Sequence, residues 1–106
     1  MFRKDLFASA IIVAVMFAVG TACCRPETHR VLIVSGQNNH NWEVSHMVLE
    51  RILENSGMFE AEIELTCPAG GDMSTFNPDF PAYDVVLLDY NGDRWPAAAD
   101  SAFIDY

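Results

Sequence analysis

The chain has 106 residues, 51% of them hydrophobic, and its 6 basic and 15 acidic residues give a formal net charge of −9. The apolar content excludes an intrinsically disordered chain, and the length leaves room for no more than one domain. Beyond residue 22 the cations are Arg25, Arg30, Arg51 and Arg94, scattered rather than clustered, which excludes a phosphate-binding surface and leaves no nucleic-acid partner to expect.

Residues 1–22 read as a signal peptide. Arg3 and Lys4 form the positive end, Leu6–Val19 the apolar stretch, and Gly20-Thr21-Ala22 the small-residue cleavage site. The stretch is shorter than the roughly 20 apolar residues that a spanning helix needs. Lipoprotein processing is the rival to ordinary cleavage, with Cys23 as the lipidated first residue. Against it, Gly20 stands where that processing usually wants Leu, Val or Ile. Either route predicts an exported protein, periplasmic or attached to the membrane through Cys23.

Residues 23–29, with Pro26 and charged neighbours, are expected to form a tether. Cys23, Cys24 and Cys67 show no metal-ligand spacing, so no metal site is expected. With lipid on Cys23, Cys24 could pair with Cys67 in an oxidising compartment; the plainer reading is a flexible Cys24 and a tucked-in Cys67, neither catalytic.

Val31-Leu32-Ile33-Val34 is a continuous apolar run, the pattern of a parallel strand covered on both faces. The polar loop Gln37–Asn41 follows. Asn41 is a good N-cap and Glu43 suits the first turn of a helix whose apolar stripe is expected at Val44, Val48 and Ile52, widened by Met47, Leu49 and Leu53. Gly57 stops it. Phe59 to Leu65 alternates apolar residues with Glu60, Glu62 and Glu64, which predicts an outer strand with a solvated acidic face.

Pro68, Gly70, Gly71, Pro78 and Pro81 make residues 66–82 an irregular crossover. Val85-Val86-Leu87-Leu88 is the second buried-strand signal, followed by the polar loop Asp89–Trp95. Pro96 fits the first turn of a last helix with an apolar stripe at Ala98, Ala102, Phe103 and Tyr106. The order β-α-β-loop-β-α with right-handed crossovers predicts an α/β fold whose parallel sheet runs 2-1-3. The third strand would then be an edge carrying an interior sequence, so the expectation is a truncated domain, the N-terminal half of a doubly wound one.

In such sheets ligands bind beyond the carboxyl ends of the strands, where Gln37–Trp42 and Asp89–Trp95 would meet. Their amides, carboxylates and indoles suit a neutral polyol better than a phosphate, which wants a glycine-rich amide cradle. Ser35-Gly36-Gln37-Asn38 lacks the spacing of a dinucleotide fingerprint, so no such cofactor is expected. His40 is a candidate general base, set against an ordinary loop histidine; His46 lies on another helix face, which argues against a two-histidine metal site. Asp93 beside Asn91-Gly92 reads equally as a catalytic or a turn residue, and Trp42 and Trp95 as crevice walls or as packing.

V-L-I-V-S-G-Q-N-N-H-N-W at 31–42 and Y-N-G-D-R-W-P at 90–96, with P-D-F-P-A-Y-D-V-V at 78–86 and F-I-D-Y at 103–106, resemble the ThuA-like (trehalose utilisation) family. The likeness runs through residues 30–106. It implies a flavodoxin-like, class I glutamine amidotransferase-like three-layer sandwich, present as its N-terminal half. By resemblance Asn38, Asn39, His40, Trp42, Asn91, Asp93 and Trp95 match the family's polar pocket positions. His40 and Asp93 are then the catalytic candidates, and the other five the substrate-binding ones. The family generally lacks the amidotransferase cysteine, so glutaminase chemistry is not implied.

The implied role is carbohydrate metabolism, with a trehalose-like or keto-sugar glycoside as the small-molecule partner and no cofactor. The alternatives are a non-catalytic sugar-binding or accessory module and an inactive remnant.

Overall fold

A computed structural model describes residues 26–106. The expected signal peptide, Cys23 and Cys24 lie outside the described residues. The sheet is built on β1 (His29–Ser35), which pairs in parallel with β2 (Phe59–Leu65) on one side and β3 (Val85–Leu88) on the other. The strand order is therefore β2-β1-β3, as the right-handed crossover rule requires. Helix α1 (Trp42–Asn55) follows β1 and helix α2 (Ala97–Asp105) follows β3. The strand begins two residues before the expected run at Val31: His29 pairs with Phe59, so it belongs to the sheet rather than to the tether.

Val31 to Val34 are almost fully buried because this strand is covered on both faces. Leu32 and Val34 point to the layer of α2, where Phe76, Phe80 and Ala99 complete the core. Alternation sends Val31, Ile33 and Ser35 to the opposite face, beneath α1. The crossover at 66–82 is irregular, as expected, yet it supplies much of this core. Phe80, in a short 3-10 turn (Phe80–Ala82), is wholly buried and packs with Trp95 and Phe103 at ring separations of 5.9 and 5.3 Å.

The helix faces differ from the expected stripes. On α1 the inward face is His46, with Trp42, Leu49 and Leu53 half-buried beside it, spaced as i, i+4, i+7, i+11. Val44, Met47, Val48 and Ile52 are exposed, so the period-four stripe identified an apolar flank and not the contact face. On α2 the buried residue is Ala99, with Ala102 and Phe103 partly covered; Ala98 faces outward and Pro96 is the N-cap rather than a first-turn residue. Asn41 is the N-cap of α1, but its carbonyl receives the Val44 and Ser45 amides and its side chain makes no cap bond.

The acidic face of β2 is not simply solvated. Glu62 accepts from Arg30 Nη2 at 2.7 Å and from the Tyr83 hydroxyl at 2.7 Å, while Arg30 lies 4.8 Å over the Tyr83 ring. Arg30 also donates to the Ala82 carbonyl, and its own amide to the Asp84 carboxylate, so this cluster ties β2, β1 and the entry to β3 at their amino ends.

Candidate functional site

Three loops leave the carboxyl ends of the strands and are fastened by one buried side chain. Gln37 donates through Nε2 to the Cys67 carbonyl at 2.7 Å and accepts the Asp93 amide on Oε1 at 2.8 Å. Its carbonyl takes the Asn91 amide as well. The approach is tight at both neighbours. Gly36 has φ +117°, and a Cβ there would lie 2.6–2.8 Å from Thr66, while a Cβ on Gly92 would strike the Gln37 side chain.

These loops frame an open crevice of about 300 Å³, lined by Gly36, Gln37, Asn38, Trp42, Pro68, Ala69, Asn91, Gly92 and Asp93. Four of the sequence-derived site residues therefore meet there: Asn38, Trp42, Asn91 and Asp93. Asn38 spends its Oδ1 on the Asn39 amide, which leaves its Nδ2 free to donate. The Trp42 indole stacks on His46 with centroids 6.0 Å apart. Among the described residues no Lys or Arg lines the crevice, and Asp93 supplies its only carboxylate.

Asp93 is also a loop anchor, since its Oδ2 accepts the Gly70 amide at 2.6 Å and its carbonyl the Tyr90 hydroxyl at 2.5 Å. Asn39 is exposed outside the crevice lining. Trp95 does not line it either. Its ring packs among Phe76, Phe80, Tyr90 and Phe103, the packing alternative of the two its sequence context left open.

His40 and Asp93, the two catalytic candidates, do not pair. His40 Nε2 is 2.9 Å from Asp89 Oδ1, and no hydrogen bond joins it to Asp93. Asp89 is the residue that sequence reasoning missed. Its side chain is 5% exposed against 50% for His40, and its Oδ2 accepts from Ser45 Oγ at 2.7 Å and from Ser35 Oγ at 3.0 Å. Burial alone pushes this carboxyl up, but the bonds from Ser45, Ser35 and His40 outweigh it and hold Asp89 below the ordinary carboxylate range. A signal was present: Ser35 and Asp89 each follow a paired residue of adjacent strands, Val34 and Leu88, so the register brings them side by side. Among the described residues no three His, Cys, Asp or Glu side chains gather as a metal-binding group.

A solved structure shares this fold. It is that of a protein assigned as ThuA-like from Parabacteroides merdae, 49% identical, with a TM-score of 0.74 over 76% of this chain. The chain belongs with the ThuA-like proteins. It spans 29% of the length of that relative. No family model matches the chain, and no curated protein does. The three parallel strands and flanking helices are the flavodoxin-like α/β arrangement that the ThuA-like motifs implied.

Proposed function

We propose that this ThuA-like chain binds a neutral carbohydrate, of the trehalose-like or keto-sugar glycoside kind, in the crevice between the β1 and β3 loops. The observation that carries this reading is the lining itself. Among the described residues it joins the free Nδ2 of Asn38, the Asn91 side-chain amide, one carboxylate and an indole face, with no cation to attract a phosphate. Amides and carboxylates bond vicinal hydroxyls, and an aromatic face covers the apolar side of a pyranose ring. His40, on the same loop as Asn38 and Trp42, is the candidate acid–base group.

Export, with or without lipid on Cys23, is part of the same proposal and rests on the leader. We further infer that residues 30–106 form the first part of a larger sheet. Val85 and Leu88 on the edge strand β3 are 43% and 49% exposed, and Val48 and Ile52 lie at i+3 and i+7 from Ser45, on the flank of α1 nearest Asp89. An apolar edge of this kind is normally paired and covered.

The test is a titration of the full 106-residue chain with trehalose and with a keto-disaccharide, followed by amide and indole resonances. Saturable shifts at Asn38, Trp42 and Asn91, lost in Trp42→Ala, are expected. Absence of shifts with both sugars would sink the reading.

A further inference from the structure

The hydrogen bonds around Asp89 determine where the protons of His40 sit. Asp89 is an ionised carboxylate and can only accept. Ser35 Oγ and Ser45 Oγ both donate to its Oδ2. The other acceptor near Ser45 Oγ, the Trp42 carbonyl, is farther at 3.5 Å, so the Ser45 proton is spent on Asp89 and the Ser45 oxygen 3.2 Å from His40 Nε2 faces the ring as an acceptor. Nε2 therefore has two acceptors before it, Asp89 Oδ1 at 2.9 Å and Ser45 Oγ, and must carry hydrogen. In the neutral ring the lone pair is then on Nδ1, which has no hydrogen-bond partner among the described residues.

We propose that Asp89 is the positioning residue of this site: with Ser35 and Ser45 it fixes His40, an exposed side chain beside Asn38 and just outside the crevice lining, as the Nε2–H tautomer and leaves Nδ1 as the nitrogen open to exchange a proton with bound substrate. The exchange rests on the carbohydrate reading above; the tautomer does not. When a sugar hydroxyl gives its proton to Nδ1, the O–H bond breaks, the Nδ1–H bond forms, and the ring becomes a cation. The Asp89 carboxylate, already bonded to the ring's far nitrogen, offsets that charge without moving. Ser35 and Ser45 keep Asp89 oriented, and the Trp42 amide bonded to the His40 carbonyl at 2.8 Å holds the loop.

The experiment is a long-range nitrogen–proton spectrum of the full chain with 15N-labelled histidine, recorded above the imidazole titration. His29 and His46 are assigned by single substitution to Gln. His40 is expected as one tautomer, with a pyrrole-like Nε2 and a pyridine-like Nδ1. Averaged signals, or a protonated Nδ1, would overturn the proposal in the wild-type chain alone, whether or not any variant folds.

Asp89→Asn presents an amide that can donate to Nε2, so the tautomer preference should be lost or reversed; an unchanged spectrum would show that Asp89 does not set it. Saturating trehalose should then move Nδ1 more than Nε2. Sugar-induced shifts at Trp42 with Nδ1 unmoved would overturn its role in proton exchange. No sugar-induced shift anywhere, with the tautomer as expected, would overturn the exchange and the carbohydrate reading while the positioning role stands.

Discussion

His40 Nε2 and Asp89 Oδ1 lie 2.9 Å apart although 49 positions separate them in the chain. The loop after β1 and the end of β3 are thereby joined through an exposed imidazole and a buried carboxylate. Because β1 and β3 are adjacent and parallel, the two groups leave the sheet at the same end, and Ser35 reaches the same carboxylate from beneath. The pair is a consequence of strand order.

Its first consequence is for acid stability. The folded carboxyl of Asp89 is depressed, so its contribution to stability is present in full above the unfolded carboxylate value, about 3.9, and is lost as pH falls through the folded value. Asp89→Asn should cost about 1–3 kcal/mol at pH 7, because Ser35 and His40 lose an ionised acceptor. The difference between the two proteins in urea midpoint should shrink between pH 5 and pH 2. A constant difference across that range would show that Asp89 has no depressed titration in the folded chain.

Gly36 and Gly57 both have positive φ, +117° and +70°, but in unlike surroundings. A Cβ at Gly57 meets nothing within 4 Å, whereas one at Gly36 meets the Thr66 backbone and side chain. Gly57→Ala should therefore cost about 1–2 kcal/mol, the intrinsic penalty of the left-handed region. Gly36→Ala should cost clearly more, because strain and a backbone clash add. Equal denaturation midpoints for the two variants would contradict the close approach of the β1 and β2 loops.

Gln37 and Gly92 make a coupled pair. Gln37→Ala strands the Cys67 carbonyl and the Asp93 amide, at a cost of about 1–3 kcal/mol. Gly92→Ala displaces the same side chain, so the two losses should not add. In a double-mutant cycle Gly92→Ala should cost less in the Gln37→Ala background than alone, because the clashes with Gln37 Oε1 and Cδ are gone while the one with the residue-37 Cβ remains. Simple additivity would mean that Gly92 is small for some other reason than the Gln37 staple.

Much of this was legible in the residues. Continuous apolar runs gave β1 and β3, the alternation of Phe59–Leu65 gave β2, and handedness then ordered the strands. Two things were hidden for physical reasons. The stripe Val44-Val48-Ile52 has helical spacing, but so does Trp42-His46-Leu49-Leu53, and only the packed sheet distinguishes a contact face from a flank. Asp89 is silent in sequence because its meaning depends on two hydroxyls, Ser35 and Ser45, brought in by other elements. Phe76 and Phe80, set in a Pro- and Gly-rich stretch, likewise enter the core only through tertiary contact.

The amino end of the sheet offers an optical test of the Arg30–Glu62–Tyr83 cluster. The hydrogen bond from its hydroxyl to Glu62 is the main cause that raises the Tyr83 phenol above the usual tyrosine range. Burial and the carboxylate charge add to it, and Arg30 opposes. Glu62 is in turn held low, first by Arg30 and then by Tyr83. Glu62→Ala removes both the acceptor and the charge, so Tyr83 should ionise earlier in an ultraviolet titration at alkaline pH. Tyr90 is an internal control. Its phenol is raised chiefly by burial, and Glu62 is not among the causes, so its ionisation should stay late. A titration curve unchanged by Glu62→Ala would mean that Tyr83 does not hold this bond in solution, and Arg30 would then have to pair with Glu62 alone.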